Sequence, residues 1–215
     1  MLEQTETPGK AGKVSKGSAR DGAPDVAAAL AKGAMELFVA QSYSTVSIQA
    51  IARYTKVNSA LIYYYFGSKE ELFLHVVESS VEKALRKFDE IRADATSPEE
   101  VISRWIELHV VNYVQFQQLA RICLDYATTS KRTDRVDLAI GEFYRAEAVI
   151  VETAIESGIE LGIFIQTDAK QLGIFISTYL DGALFRGLMF PHFDHQDAIR
   201  SMRKVVLSFL RTSNI

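Results

Sequence analysis

The chain has 215 residues, 48% of them hydrophobic, with 24 Lys and Arg against 27 Asp and Glu, for a formal net charge of −3. That length can bury a core and fits one small and one larger helical domain, while negative charge spread evenly would argue against nucleic acid. The single cysteine, Cys123, excludes an internal disulfide and a multi-cysteine zinc site, and reads as a buried packing residue rather than a regulatory thiol.

In chain order, residues 1–23 read as a flexible basic tail, rich in Gly, Ser, Thr and Lys and without the apolar run of a secretion signal. Pro24 suits the first turn of a helix whose stripe runs Val26, Leu30, Ala34, Leu37 and Phe38. After a break at 42–45, Ser47 can cap a short helix from Ile48 to Tyr54, with Ile51 and Ala52 inward. Lys56, Val57 and Asn58 make a tight turn, and Asn58 can cap a third helix from Ser59 to Phe66, with Ile62 and Phe66 on its inner face. Two short helices so joined form a helix-turn-helix. Ser68 and Glu71 make a Ser-x-x-Glu capping box for a long helix with the stripe Leu72, Val76, Val81, Leu85 and Phe88.

Charge follows this division. From Lys10 to Lys69 there are eight Lys or Arg (Lys10, Lys13, Lys16, Arg20, Lys32, Arg53, Lys56, Lys69) against Asp21, Asp25 and Glu36, a balance of +5 that leaves −8 for the remainder. A basic end and an acidic body orient a protein on a polyanion.

The stretch from Val26 to Val77 resembles the DNA-binding domain of the TetR family of transcriptional regulators. That family's signature is close to V-S-x-x-x-L-Y-Y-H-F followed by x-x-K-E-x-L; here Val57, Asn58, Ile62, Tyr63, Tyr64, Tyr65, Phe66, Lys69, Glu70 and Leu72 stand in those places. Gly158 to Phe164, followed by Asp168, resembles the family's junction between its seventh and eighth helices; physically, Gly158 and Gly162 weaken a helix end and Asp168 can cap the next helix. The resemblance implies an all-α fold, with residues 24–72 as the DNA-binding domain and 73–215 as a helical effector-binding and dimerisation domain. It also implies a cytoplasmic, nucleoid-associated protein of bacterial type.

Helix geometry sets Ser59, Ala60, Tyr63 and Tyr64 outward if Ile62 and Phe66 face the core. Lys69 starts the long helix, where a cation and free N–H groups can grip a phosphate. By resemblance, Ser47, Tyr63, Tyr64 and Lys69 match positions that contact DNA. Tyr65 suits packing and phosphate contact equally, and Asn58 is occupied as a cap. The helix departs from the family pattern at Ser59, Ala60, Leu61 and Tyr65, and no Arg, Lys or Gln lies within it, so bidentate contacts to guanine or adenine are scarce. Readout is then expected from thymine-methyl contacts by Ala60 or Leu61, from tyrosine hydroxyls and from DNA shape. The basic tail is a second, weaker candidate for DNA contact, with a solvated leader the simpler reading.

The body carries aromatics at helical spacing after a capped start at Ser97, Pro98 and Glu100. Such rings are usually core, yet the resemblance implies helices around a pocket for a small, largely apolar molecule. Candidate wall residues are Trp105, His109, Tyr113, Phe116, Arg121, Tyr126, Phe143, Tyr144, Phe175 and Tyr179, with His109, Tyr113, Arg121 and Tyr144 as polar handles. The segment from Leu172 to Phe190 is apolar nearly all round, but Asp181 and Arg186 inside it argue against a membrane span. With the stripe Ile199, Met202, Val205, Val206, Phe209 and Leu210 it suggests self-association. The family places its last two helices in a twofold four-helix bundle; expected interface residues are Leu172, Phe175, Ile176, Tyr179, Ala183, Ile199, Met202, Val205, Val206 and Phe209, against the alternative that both stripes pack within the chain.

The expected function is a homodimeric repressor, released from a palindromic operator by a ligand that tilts the helix beginning at Ser68. Recognition helices must sit near one-turn spacing, about 34 to 36 Å, or a multiple of it. An activator, a ligand-independent DNA binder and a helical protein adaptor are the alternatives. No Gly-rich phosphate loop, paired metal-ligand motif or Gly-x-Ser-x-Gly elbow is found, so no enzyme, cofactor or metal is expected. His192, Asp194 and His195 near Pro191 read as a connecting loop rather than a metal site.

Overall fold

The computed structural model describes residues 23–128 and 133–211. The tail cations Lys10, Lys13, Lys16 and Arg20 lie outside the described residues. Among those described, the chain forms α1 (Ala23–Ala40), α2 (Ile48–Thr55), α3 (Ser59–Phe66), α4 (Lys69–Asp94), α5 (Pro98–Val111), α6 (Tyr113–Ala127), α7 (Asp134–Glu160), α8 (Ala169–Met189) and α9 (His195–Leu210). No strand accompanies them, only an isolated bridge between Phe164 and Arg211. None of the described helices is long and apolar enough to cross a membrane.

Short-range hydrogen bonds set the starts of these helices. Ser47, Asn58, Ser68, Ser97, Asp168 and Asp194 each accept a backbone N–H of the first turn that follows. Lys56 ends α2 in the left-handed region at φ 57°, and Val57 N–H closes onto Ala52 at 3.1 Å. The capping box at α4 is half made. Ser68 Oγ accepts from Glu71 N–H at 3.0 Å, but the Glu71 carboxylate is drawn across to Arg135 at the start of α7.

Two apolar cores stack along α4. The first joins Leu30, Phe38, Ile51, Ile62 and Leu72 of the N-terminal helices to Ile122 and Tyr126 of α6 and Val136 of α7. Its centre is aromatic: Phe73 lies 5.3 Å from Phe38, 4.7 Å from Tyr43 and 5.0 Å from Tyr126, ring centre to ring centre. The second core gathers Phe88, Trp105, Ile155, Ile176, Ile199 and Met202 from α4, α5, α7, α8 and α9. Glu107 of α5 ties α9 down, accepting from Arg200 at 2.7 Å and Arg203 at 2.8 Å. The first core thus crosses from the N-terminal helices into the body.

At the α7–α8 junction Gly162 follows the helix end and Asp168 caps α8 as expected, while Gly158 serves packing instead. Gly158 lies within α7, and a Cβ there would stand 2.0 Å from the Phe164 ring, so the missing side chain makes room for that ring. Gly162 turns the chain at φ 68°, and Phe164 N–H returns to the Gly158 carbonyl at 3.0 Å.

Candidate functional site

The outer face of the helix-turn-helix is built from α3 and its cap. Ile62 is fully buried, which rolls Tyr63 (52% exposed) and Tyr64 (78%) outward with Ala60 and Leu61. Asn58 Oδ1 accepts from Ala60 N–H at 2.9 Å, and Ser47 Oγ from Ala50 N–H at 3.1 Å, so both act as caps on an exposed edge. Ser59 is half-buried. Tyr65 is half-buried too, its ring 5.1 Å from Tyr64 and 6.4 Å from Phe66, and it packs against the first core. Arg53 and Lys56 add exposed cations beside the turn; as elements of the charge balance they are visible in the sequence, but the left-handed turn at Lys56 is not.

Lys69 has a role that sequence reasoning missed. Its Nζ donates to the carbonyls of Tyr43 at 2.8 Å and Val46 at 3.0 Å and lies 4.4 Å from the Tyr43 ring centre. The loop that leads into Ser47 is therefore clamped to the first turn of α4. Burial raises the Tyr43 phenol to about 12, with the Glu70 charge adding to it, so the ring under the ammonium stays neutral.

A cavity opens in the body between α4, α5, α6, α7 and α8, with about 580 Å³ of space between its atoms, the solvent at its mouth included. Four expected residues, His109, Phe116, Phe143 and Tyr144, meet on its wall. Val77 and Val81 of α4 form its floor beside Leu119 of α6. Two further hollows meet it at Tyr144 and Asp181, one reaching Trp105 and the other Tyr126.

The remaining expected wall residues lie elsewhere. Tyr113 stacks on His195 at 3.6 Å and donates to the Ala183 carbonyl at 3.1 Å, fastening α6 to α8 and α9. Arg121 is on the exposed side of α6, and Phe175 and Tyr179 point out from α8, at 51% and 38% exposure. Periodicity shows which residues share a stripe but not what that stripe faces.

Polar residues missed in the sequence complete the wall: Glu147, Ser177 and Asp181, with Cys123. Glu147 and His109 are both buried, Glu147 Oε1 lying 3.1 Å from His109 Nε2. Ser177 donates to Glu147 Oε2 at 3.1 Å, and Tyr144 donates to both Asp181 oxygens at 3.3 and 3.2 Å. The signal for these acids is present in the sequence, Glu147 inside the apolar stripe of α7 and Asp181 inside the apolar run of α8. Asp181 keeps open surface on one side, but apolar neighbours strip water from its carboxyl. That desolvation first, and the Glu147 charge second, push it up to about 6. Burial raises the Cys123 thiol to about 12, which makes it inert. The Trp105 indole N–H is buried without an acceptor among the described residues, at a cost of about 1–3 kcal/mol.

The proposed self-association face needs correction. Ile176, Ala183, Ile199, Met202 and Val206 are buried in the chain's own second core, and Leu172 is half-buried, because α8 and α9 each carry an inner stripe beside the outer one. Exposed apolar side chains that remain are Phe175, Tyr179, Val205 and Phe209, joined by Ile174, Phe185, Met189 and Phe190, which periodicity did not single out. Near Pro191, Asp194 caps α9, and no group of three metal-ligating side chains occurs among the described residues.

Residues 30–76 match the model for bacterial regulatory proteins of the tetR family. The HTH-type transcriptional repressor NicS of Pseudomonas putida is 26% identical over 137 residues, a segment that is 62% of this chain and 63% of NicS. A TetR transcription regulator from Haloarcula marismortui superposes with a TM-score of 0.77 at 17% identity, over 88% of this chain and all of that one. A proposed transcriptional regulator from Saccharomonospora viridis, solved in complex with choline, gives 0.75 at 20% identity, over 88% of this chain and 99% of that one. At such identities the superpositions show a shared fold.

Proposed function

We propose that this chain, whose residues 30–76 match the model for bacterial regulatory proteins of the tetR family, is a homodimeric repressor of that family, released from a palindromic operator by a small, largely apolar ligand. The observation that carries the ligand-release part is the double duty of α4. Its first turn clamps the loop before α2 through Lys69, and two turns further on Val77 and Val81 line the body cavity.

A second connection runs parallel through α6. Phe116, Leu119 and Cys123 line the cavity, while at the helix end Asp125 accepts from Tyr43 N–H at 2.5 Å and Tyr126 stacks on Phe73. A ligand that spreads α4 from α6 therefore pulls on the same loop from two sides. A differential affinity of about 1–3 kcal/mol between the two arrangements would weaken operator binding some five- to 150-fold. DNA contact falls to Ala60, Leu61, Tyr63 and Tyr64 on the exposed face, with Ser47 at its edge and Asn58, Ser59 and Tyr65 shaping the helix. Outer faces of α8 and α9 form the twofold contact through Phe175, Tyr179, Val205 and Phe209.

The test is selection of bound duplexes from a random DNA pool by the purified protein. Recovery of a palindrome bound by two chains, lost in Tyr64→Ala, is the expected result. No enrichment by a folded dimer, with or without candidate ligands, would overturn the reading.

A further inference from the structure

The cavity wall carries an uneven charge. His109 Nδ1 lies 3.0 Å from the Trp105 carbonyl, which only accepts, so Nδ1 carries a hydrogen. Nε2 then faces Glu147 Oε1, and a bare nitrogen against a bare carboxylate oxygen would repel. One proton must lie between them, as imidazolium with carboxylate or as imidazole with carboxylic acid. In either form the pair is neutral as a unit.

Asp181 has no such partner. Its hydrogen bonds come from the Tyr144 hydroxyl, a neutral donor. No lysine or arginine is among the described residues lining the cavity or the two hollows that meet it. Asp137, on the outer hollow, is engaged in an interaction of its own. The rest of the wall offers rings, Phe143 and Tyr144 standing edge to face at 5.6 Å with Phe116 beyond. Ring faces attract cations, and a carboxylate against hydrocarbon is costly unless paired.

We propose that the cavity takes an organic monocation, an amine or quaternary ammonium compound, with its charged head against Asp181 and the Phe143 and Tyr144 rings and its apolar body toward Phe116 and Leu119. The proposal rests on the reading of this cavity as the effector site. An anion would be repelled by Asp181, and a neutral apolar molecule would leave that carboxylate facing hydrocarbon. Desolvation first and the Glu147 charge second raise the proton affinity of the Asp181 carboxyl, against the Tyr144 hydrogen bond and the His109 charge, which do not offset them.

Calorimetric titration of the full chain with three matched probes tests this: benzyltrimethylammonium, its neutral carbon isostere neopentylbenzene, and phenylacetate. The cation should bind at least ten-fold more tightly than the isostere, with phenylacetate weakest. Asp181→Asn should bring the cation-to-isostere ratio near one without altering the helical signal, and Asp181→Glu should restore much of it. Equal binding of cation and isostere, tightest binding of the anion, no binding of the cation at millimolar concentration, or a preference that survives in Asp181→Asn would each overturn the proposal. Operator binding by the same preparation separates the two claims. DNA release by the neutral or anionic probe would sink the cation proposal and leave the regulator reading standing, while an Asp181-dependent cation preference in a protein that selects no DNA would do the reverse.

Discussion

At the residue scale, the same side chain can serve the fold and the partner, and substitution separates the two. Tyr64 is 78% exposed, its ring edge-on to Tyr65 at 5.1 Å, so Tyr64→Ala should change the melting temperature little while operator affinity falls by about 1–3 kcal/mol, read by gel shift. Lys69 should behave oppositely. With two carbonyls and a ring engaged by its ammonium, Lys69→Met should cost about 1–3 kcal/mol in denaturant unfolding, in the absence of DNA. An unchanged unfolding midpoint would return Lys69 to a phosphate role alone. For Asp181 the sign is fixed by its raised carboxyl, about 6 in the fold against 3.8 for the free side chain. The folded state holds that proton more tightly than the unfolded chain, so ionisation destabilises the fold as pH rises through this window. Asp181→Asn should therefore melt higher than the parent at pH 7.5, with the difference shrinking as pH falls from about 6 and gone once it is below the free side chain's 3.8.

At the scale of elements, the helix-turn-helix is the part most legible in the sequence. Ser47, Asn58 and Ser68 cap through hydrogen bonds two or three residues away, so local order of residue types suffices to place α2, α3 and the start of α4. The cavity is less legible, because its polar wall joins His109, Glu147 and Asp181 from three helices, and helical spacing does not say which helices meet. Phe175 and Tyr179 follow the same logic: their stripe is readable, its outward aspect is not. Gly158 shows how a residue can suggest a weak helix end and instead permit close packing. Gly158→Ala should drive a methyl into the Phe164 ring and cost roughly 1–3 kcal/mol or more, measured by thermal unfolding. Coupling between elements has its own test. Asp125→Ala removes the acceptor for Tyr43 N–H at the end of α6, and it should reduce the factor by which ligand weakens DNA binding while leaving ligand affinity in calorimetry within about two-fold.

On the scale of the whole molecule, α4 runs through two cores, with a tyrosine-bearing face on α3 and an exposed apolar face along α8 and α9. Inner and outer stripes of α9 make separable predictions. Val205→Asp with Phe209→Asp should give a folded monomer by sedimentation equilibrium, whereas Met202→Asp should unfold the chain, since its side chain is only 4% exposed. Twofold assembly and DNA recognition are linked by geometry, because two rigidly held α3 helices fit only half-sites on the same face of the duplex. The most direct test is therefore a gel-shift series on the selected operator with 0, 5 and 10 base pairs inserted between its half-sites. Insertion of five, about half a turn, should drop affinity to that of an isolated half-site, and the Val205→Asp, Phe209→Asp monomer should show that weak affinity on every duplex. Equal affinity at all spacings for the parent protein would contradict a dimer that reads a palindrome through paired α3 helices.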